Sequence, residues 1–434
     1  MLKHAEIDNL KNWIERINEF NSTPEFGTTR VLFTPVEIQS RDYIKSEMKK
    51  LNLSVQEDAI GNIYAVLEGQ EPQLEPVWTG SHIDSVLNAG MFDGVVGVVG
   101  GLEALRLIMQ LEERPKRSIV LIVYTSEEPT RFGLSCLGSR AMAGRLTRED
   151  TNQLLDKDGN TLAGVLDSLG YSKKAFERVA VPKGSVYGAV ELHIEQNGVL
   201  DKEGLSIGIV KAICAPTNYV VEVQGCQSHA GGTSMTARRD AYMAACELAL
   251  SLEKLARESQ SEYTTVTVGW VDVVPNAVNV IPGTVRFSID IRDVDFQSKN
   301  MLIGSLKEEV DRIESVRDVR IKLELQNHDV PMKCHKEFIK IIENACMTQG
   351  VDYCSMISGA YHDSLFVGEF APVAMIFVPS RNGISHSPDE WTDYEDIAVG
   401  VDILADTLLT MANSIDHKRN CKCLTVNHRG SEFI

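Results

Sequence analysis

The chain of 434 residues lacks any apolar run near the roughly 20 residues needed to span a bilayer. Its least polar segment, Gly94 to Leu102, is short, rich in glycine and followed by Glu103, so no membrane-spanning helix is expected. The opening MLKHAEIDNLKNWIERINEF mixes charged and apolar residues at helical spacing and has no apolar core of the signal-peptide kind, so no export is expected. Nine cysteines occur without any CxxC pair, which argues against a disulfide framework and for reduced thiols in a cytoplasmic protein. Basic residues are in deficit, 43 Lys and Arg against 61 Asp and Glu, for a net charge of -18. A chain with that balance lacks the basic face that nucleic-acid phosphates require, so nucleic acid is excluded as a partner. There is no internal repeat and no low-complexity segment.

What remains is globular in composition, with 43% hydrophobic and 24% charged residues, and long enough for two domains. The first half alternates strand-like and helix-like segments: Val77–Thr79 running into His82, a helix from Gly97 to Gln110, a buried strand from Ser118 to Thr125, and another from Tyr187 to Leu192. This predicts an α/β domain with a mostly parallel sheet. From about Ala212 the order becomes strand (Asn218–Val223), helix (Ala237–Ala256), strands (Thr264–Val273, Thr284–Arg292), helix (Gln297–Ile313) and strand (Arg320–Leu325). That is the β-α-β-β-α-β order of a ferredoxin-like α+β unit. The α/β pattern then resumes with a helix from Glu337 to Gln349, a strand from Val373 to Val378 and a helix from Tyr394 to Asn413. The expected organisation is a catalytic domain in two parts, 1–211 and 330–415, interrupted by an inserted domain at 212–329, with a polar tail at 416–434. The tail has no apolar period and reads as disordered, although Cys421 and Cys423 within it could bind metal weakly.

Polar residues follow the apolar runs where open α/β sheets place their chemistry. They are His82, Asp84 and Asp93, the adjacent Glu127 and Glu128, then His193, and finally His386. One histidine after a strand is usually a satisfied polar residue, and an adjacent glutamate pair is usually a solvated loop. Three histidines with two acidic sites, all at strand ends, point instead to a metal site. Imidazole and carboxylate without thiolate suit Mn or Zn, with Co or Ni possible. Asp84, two residues after His82, could accept the imidazole's other N–H and fix its tautomer. Asp93, before a glycine on a turn into a helix, could bridge two ions through its two oxygens. Glu127 and Glu128 point to opposite sides of an extended segment, so one can bind metal while the other faces a water.

The runs GSHIDS, FDGVVGV, TSEEPTRFG, ELHIEQ, QSHAG, NAVNVIPG, RFSIDIRD, YHDS and GISHSP resemble the M20 metallopeptidase family. Within it they resemble the branch of ureidoglycolate, allantoate and N-carbamoyl-L-amino acid amidohydrolases, over nearly the whole chain. The resemblance implies two divalent ions per chain. His82 and His193 would each hold one metal, Asp93 would bridge, and Glu128 with His386 would bind the other metal. Glu127 becomes the general base, and the inserted domain becomes a lid that also forms a homodimer interface. His229 and Asn279 match the positions that cradle a developing oxyanion, with Asn276 a nearby competitor for the latter, and Arg292 matches the group that grips a substrate carboxylate. On the residues alone Arg292 reads first as a surface salt-bridge partner of Asp290 or Asp293, a preference that the resemblance overturns. Gln196 and His362 are weaker candidates for orienting a small anionic ureido substrate. Two departures bear on that substrate: Asn197 stands where the family commonly has glycine, and Tyr361 stands before His362–Asp363 where many relatives have glycine, as in ureidoglycolate enzymes. The lid run SHAGGTSMTARRDA is not a clean match to that subfamily.

Overall fold

The computed structural model describes residues 2–171 and 173–414, so the tail with Cys421 and Cys423 lies outside the described residues. The chain divides into two units: unit 1 comprises Met1–Lys211, Cys334–Met356 and the chain from His362, and unit 2 comprises Ala212–Lys333 and Ile357–Tyr361. The chain thus leaves unit 1 a second time, for the five residues just before His362, and the first return falls at Lys333/Cys334 rather than at 329/330.

Unit 1 is built on one sheet, ordered β1 (Ser54–Glu57), β2 (Ile63–Leu67), β4 (Ile119–Tyr124), β3 (Val77–His82), β5 (Gly188–Ile194), β16 (Val373–Val378) and β6 (Ile207–Ile213). β14 (Met332–Lys333) and β15 (Tyr353–Ser358) both pair with β6. The central strands β4, β3, β5 and β16 run parallel. The flanking β1, β2 and β6 are antiparallel to their neighbours. Every residue of the four central strands is buried, which is why β4 and β16 read as unbroken apolar runs and why none of the four alternates like a half-buried strand. The helices Val95–Met109 and Tyr394–Asn413 pack on each other and on these strands. Because the central strands are parallel, their carboxyl ends lie along one edge of the sheet, and the loops that leave them share that edge.

Unit 2 consists of β7 (Ala215–Gln224), a helix Ala241–Arg257, β9 (Thr265–Thr267), β10 (Val271–Val274), β12 (Thr284–Asp293), a helix Phe296–Arg317 and β13 (Arg320–His328). Its antiparallel sheet is ordered β10-β12-β7-β13, with β9 also on β12, which is the ferredoxin-like arrangement. The expected single strand over Thr264–Val273 is divided in two. Trp270 leaves the ladder and its N–H bonds the Ser288 hydroxyl at 3.3 Å. One sheet face, with Val221, Val223, Phe287 and Ile289, closes on Leu248, Leu252, Leu306 and Ile313 of the two helices. A two-stranded ladder of β8 (Ser228–His229) and β11 (Val280–Ile281) completes the unit, and nothing in the apolar pattern announces it.

Candidate metal centre

Within unit 1, the other four predicted ligands, His82, His193, Glu128 and His386, gather around Asp93. His82 ends β3 and His193 lies in β5, so the sheet itself fixes both rings. Their Nε2 atoms lie 3.5 and 3.2 Å from Asp93 Oδ1. On the other side of the carboxylate, His386 Nε2 lies 3.1 Å from Asp93 Oδ2 and 3.3 Å from Glu128 Oε1. Two three-residue groups with ligand atoms close enough for one ion therefore share Asp93: His82, Asp93 and His193, and Asp93, Glu128 and His386. The turn that delivers Asp93 depends on Gly94, at φ 67° and ψ -41°. A Cβ there would lie 2.4 Å from the His82 ring.

The donor set fits a divalent cation at each position. His82 Nδ1 lies 3.1 Å from the Asp84 carbonyl oxygen and His193 Nδ1 lies 2.9 Å from that of Ile194. A carbonyl only accepts, so each ring donates from Nδ1 and a neutral ring aims the Nε2 lone pair at Asp93. Lone pairs and a carboxylate oxygen facing one another repel unless positive charge lies among them. The titration behaviour states the same requirement. Burial alone would lower His82 and His193, yet contact with Asp93 raises both. Asp93 is held well below the usual carboxylate range, its burial outweighed by the three histidines. The hydrogen bond to Asp93 lifts His386 to about 9.

Glu127 and Glu128 diverge in environment as they do in direction. Glu128 reaches the second position, and burial followed by the neighbouring Asp93 raises it to about 7. Glu127 is pushed well above its ordinary value, by burial first and then by Glu128. Among the described residues it joins none of the ion-sized groups of ligand atoms, and its Oε1 accepts from the Cys136 thiol at 3.5 Å. Asp84 differs from expectation in detail. Its backbone carbonyl, not its carboxylate, holds His82, while the carboxylate accepts the N–H groups of Glu127 at 3.3 Å and Glu128 at 3.0 Å. It thereby sets the direction of the glutamate pair.

Gln196, at φ 57°, donates from Nε2 to Asp93 Oδ2 at 2.8 Å, and its buried Oε1 has no hydrogen-bond partner. His386 is also in the left-handed region at φ 55°, as is Ser126 before the glutamate pair at φ 54°. Such backbone is costly for residues other than glycine and gathers at functional sites. His362 packs edge-on to His193 with ring centroids 4.6 Å apart. With Glu191 and His193 it forms a third candidate grouping, but Glu191 already accepts from Ser81 at 2.9 Å and from Ser364 at 2.5 Å. Sequence reading passed over Glu191, Ser385 and Glu390. The last two flank His386 within GISHSPDE, and that proximity was the available signal. A groove of about 1780 Å³ elsewhere on unit 1 is lined by Tyr64, Trp78, Val120 and Tyr171 and by none of these residues.

The remaining predicted residues belong to unit 2, where they form two groups. His229 and Asn279 meet at the β8–β11 ladder, the Ala230 N–H donating to the Asn279 carbonyl at 3.0 Å. The backbone N–H groups of Gly231 and Gly232 donate to His229 Nδ1 at 3.1 and 2.9 Å, so the ring carries its proton on Nε2 and presents a donor. Arg292 pairs with Asp290 through Nε and Nη2, both at 3.0 Å, and its Nη1 donates to the Gly359 carbonyl at 2.9 Å. The salt-bridge partner is thus Asp290 and not Asp293, and three of the five guanidinium N–H groups are engaged. Gly359 leads into Tyr361, whose hydroxyl donates to the Asp329 carboxylate.

An α/β sheet with imidazoles and carboxylates paired around a shared aspartate at its strand ends, and a sheltered glutamate beside them, defines a metal-dependent hydrolase. Residues 78–410 match the family described as Peptidase family M20/M25/M40. The chain is 42% identical to the ureidoglycolate hydrolase of Oryza sativa subsp. japonica, over 93% of this chain and 84% of that one. It is 36% identical to the N-carbamoyl-L-amino acid amidohydrolase of Geobacillus stearothermophilus, over 91% of this chain and 96% of that one. The crystal structure of AtUAH in complex with glyoxylate superposes with a TM-score of 0.85 at 40% identity, covering 95% of this chain and 99% of that one. The chain belongs to the M20 family, in its amidohydrolase branch, and is a metal-dependent hydrolase of non-peptide C–N bonds.

Proposed function

We propose that this enzyme hydrolyses the terminal carbamoyl C–N bond of a small ureido acid, ureidoglycolate, releasing ammonia and a carbamate that then breaks down to CO2 and hydroxyglycine. The observation that carries the reading is the pairing of the Asp93-centred site with Tyr361 directly before His362–Asp363. Support comes from the identity to the rice ureidoglycolate hydrolase and from the two-carbon acid in the AtUAH complex. Held by His82, Asp93 and His193 and by Asp93, Glu128 and His386, two divalent ions, Mn or Zn with Co or Ni also compatible with the donors, would supply an activated water and polarise the ureido carbonyl. Glu127 takes the proton of the attacking water and passes it to the leaving nitrogen. His229 Nε2–H and the Asn279 amide donate to the oxyanion. Gln196 Oε1, lacking a partner, accepts a ureido N–H, and His362, edge-on to His193, helps to orient the substrate.

Arg292 reads the substrate carboxylate with the two N–H groups it has left, one on each Nη, while Asp290 and Gly359 hold its orientation. Tyr361, fixed through Asp329, narrows the space for substituents. Unit 2 acts in this reading as the lid, and its exposed Tyr242, Met243 and Leu250 on one helix, with Trp270 and Val271 at the sheet edge, suit a homodimer interface. No described helix is long and apolar enough to cross a membrane. The test is ammonia release by Mn-loaded protein offered ureidoglycolate, allantoate and N-carbamoyl-L-amino acids in parallel. Turnover of ureidoglycolate alone is expected. Turnover confined to carbamoyl amino acids or to allantoate keeps the site chemistry and overturns the substrate.

A further inference from the structure

The sheet itself places His82 and His193, but it does not place His386. That residue sits on the loop between β16 and the helix Tyr394–Asn413, is half exposed at 50%, and has a left-handed backbone. Its partner Asp93 lies almost three hundred residues earlier, on the turn before Gly94. The group joining loop to turn is Glu390, only 3% exposed. Its Oε1 accepts the backbone N–H groups of Phe92 at 3.0 Å and Asp93 at 3.1 Å, and its Oε2 accepts the Ser385 hydroxyl at 2.8 Å. The same hydroxyl lies 3.3 Å from Asp93 Oδ2. It has one proton to donate, and the shorter contact assigns it to Glu390, leaving that aspartate oxygen for the ion and Gln196. Gly90 makes the approach possible, since a Cβ there would lie 2.3 Å from the Glu390 Cβ.

We propose that Glu390 is a positioning residue for the second metal position: its carboxylate ties the loop of His386 to the turn of Asp93, so that these two ligands meet on one ion. The reasoning rests on the two-ion reading above. The first position takes two of its three ligands from β3 and β5 and keeps them without the tie. Trp391, whose ring stacks edge-on against Phe92 at 5.3 Å, keeps the loop packed when the carboxylate is removed but does not fix the imidazole.

The test titrates Mn(II) into metal-free protein against a competing chelator, for the wild type and for Glu390→Ala, Glu390→Gln and Ser385→Ala, each also in a His386→Ala background. Wild type should take up two ions. Glu390→Ala should weaken one ion by about 10–100-fold, the range for losing a partner of a metal ligand, and leave the other within about 3-fold. Ser385→Ala should weaken the same ion. Glu390→Gln, whose carbonyl still accepts both amide protons, should recover most of the affinity. In the His386→Ala background Glu390→Ala should add nothing, because the tie then has no ligand to hold. Equal weakening of both ions, weakening of neither, or an undiminished effect in the His386→Ala background overturns the proposal, as does Glu390→Gln binding as poorly as Glu390→Ala. If Glu390→Ala does not fold, Ser385→Ala with unchanged binding is sufficient to overturn it. A wild type that binds one ion overturns the two-ion reading and this inference together, whereas two equal ions in every variant overturn this inference alone.

Discussion

Replacing Gly94 with alanine places one methyl group against the first metal position. The new Cβ would lie 2.4 Å from His82 Cε1 and 2.5 Å from Nδ1 and Nε2, where ordinary contact begins at 3.4 Å, so ring and turn must part by about 1 Å. His82 cannot retreat, because it ends a fully buried strand and its Nδ1 is bonded to the Asp84 carbonyl. If the turn moves instead, it carries Asp93 with it. Ligand distances in a metal site tolerate about 0.2 Å, several-fold less than the required shift. The backbone at φ 67° and ψ -41° adds strain of about 1–3 kcal/mol for any residue with a Cβ. Gly94→Ala should therefore bind the ion between His82 and His193 at least about 100-fold more weakly, and turnover should fall with it. Metal content after dialysis against graded chelator, measured beside ammonia release, reads both effects. A variant with full metal content and wild-type turnover would refute the claim that the absent Cβ makes room for the ligand.

Glu127→Gln keeps the shape of the proposed base and leaves Glu128 in place, so turnover should fall about 10²–10⁴-fold with unchanged metal content; near-normal turnover would remove Glu127 from that role. Arg292→Lys should raise KM for an anionic ureido substrate about tenfold or more without loss of folding, since an ammonium cannot bond Asp290, Gly359 and a carboxylate in one plane; an unchanged KM would leave Arg292 as a purely structural partner of Asp290. Lys299 is buried in unit 2, donating to the carbonyls of Ala215 and Asp329, and burial lowers it from 10.5 to about 8. Between those values the unfolded chain binds more protons than the fold, so stability rises with pH there, and the full cost is present below about 8. Wild type should gain about 2 kcal/mol on Lys299→Met between pH 7 and pH 10 in denaturant unfolding. A difference that does not change with pH would show that Lys299 keeps the ordinary lysine pKa in the fold and that its burial carries no such cost.

The readability of the fold differed between its parts for a physical reason. The parallel strands β4 and β16 stand out as apolar runs because both faces are covered, and the long helices because one face is. The ladder of β8 and β11 has two residues per strand and no buried face to impose a pattern, so its pairing of His229 with Val280 was invisible, although it is what brings His229 and Asn279 together. The excursion Ile357–Tyr361 was equally silent, because leaving one unit for five residues requires no change of composition. The candidate ligands were legible because each follows a strand or precedes a glycine. Their partners were less so: Glu390 looks like any exposed acidic residue in a loop until its three hydrogen bonds are seen, and Asp84 gave its position but not which of its oxygens holds His82.

By itself the sequence determined the alternation of elements, the ferredoxin-like order of the insertion and the residue types able to hold a cation, because hydrophobic period and ligand chemistry are local properties. Tertiary structure alone decided that Asp93 faces two sides at once, that the Asp84 carboxylate accepts the backbone N–H groups of both Glu127 and Glu128, that Arg292 is held by Asp290 and not Asp293, and that Glu390 fastens two segments almost three hundred residues apart. Those are distances across the chain, and a residue's neighbours in space are set by how the sheet brings its strand ends together.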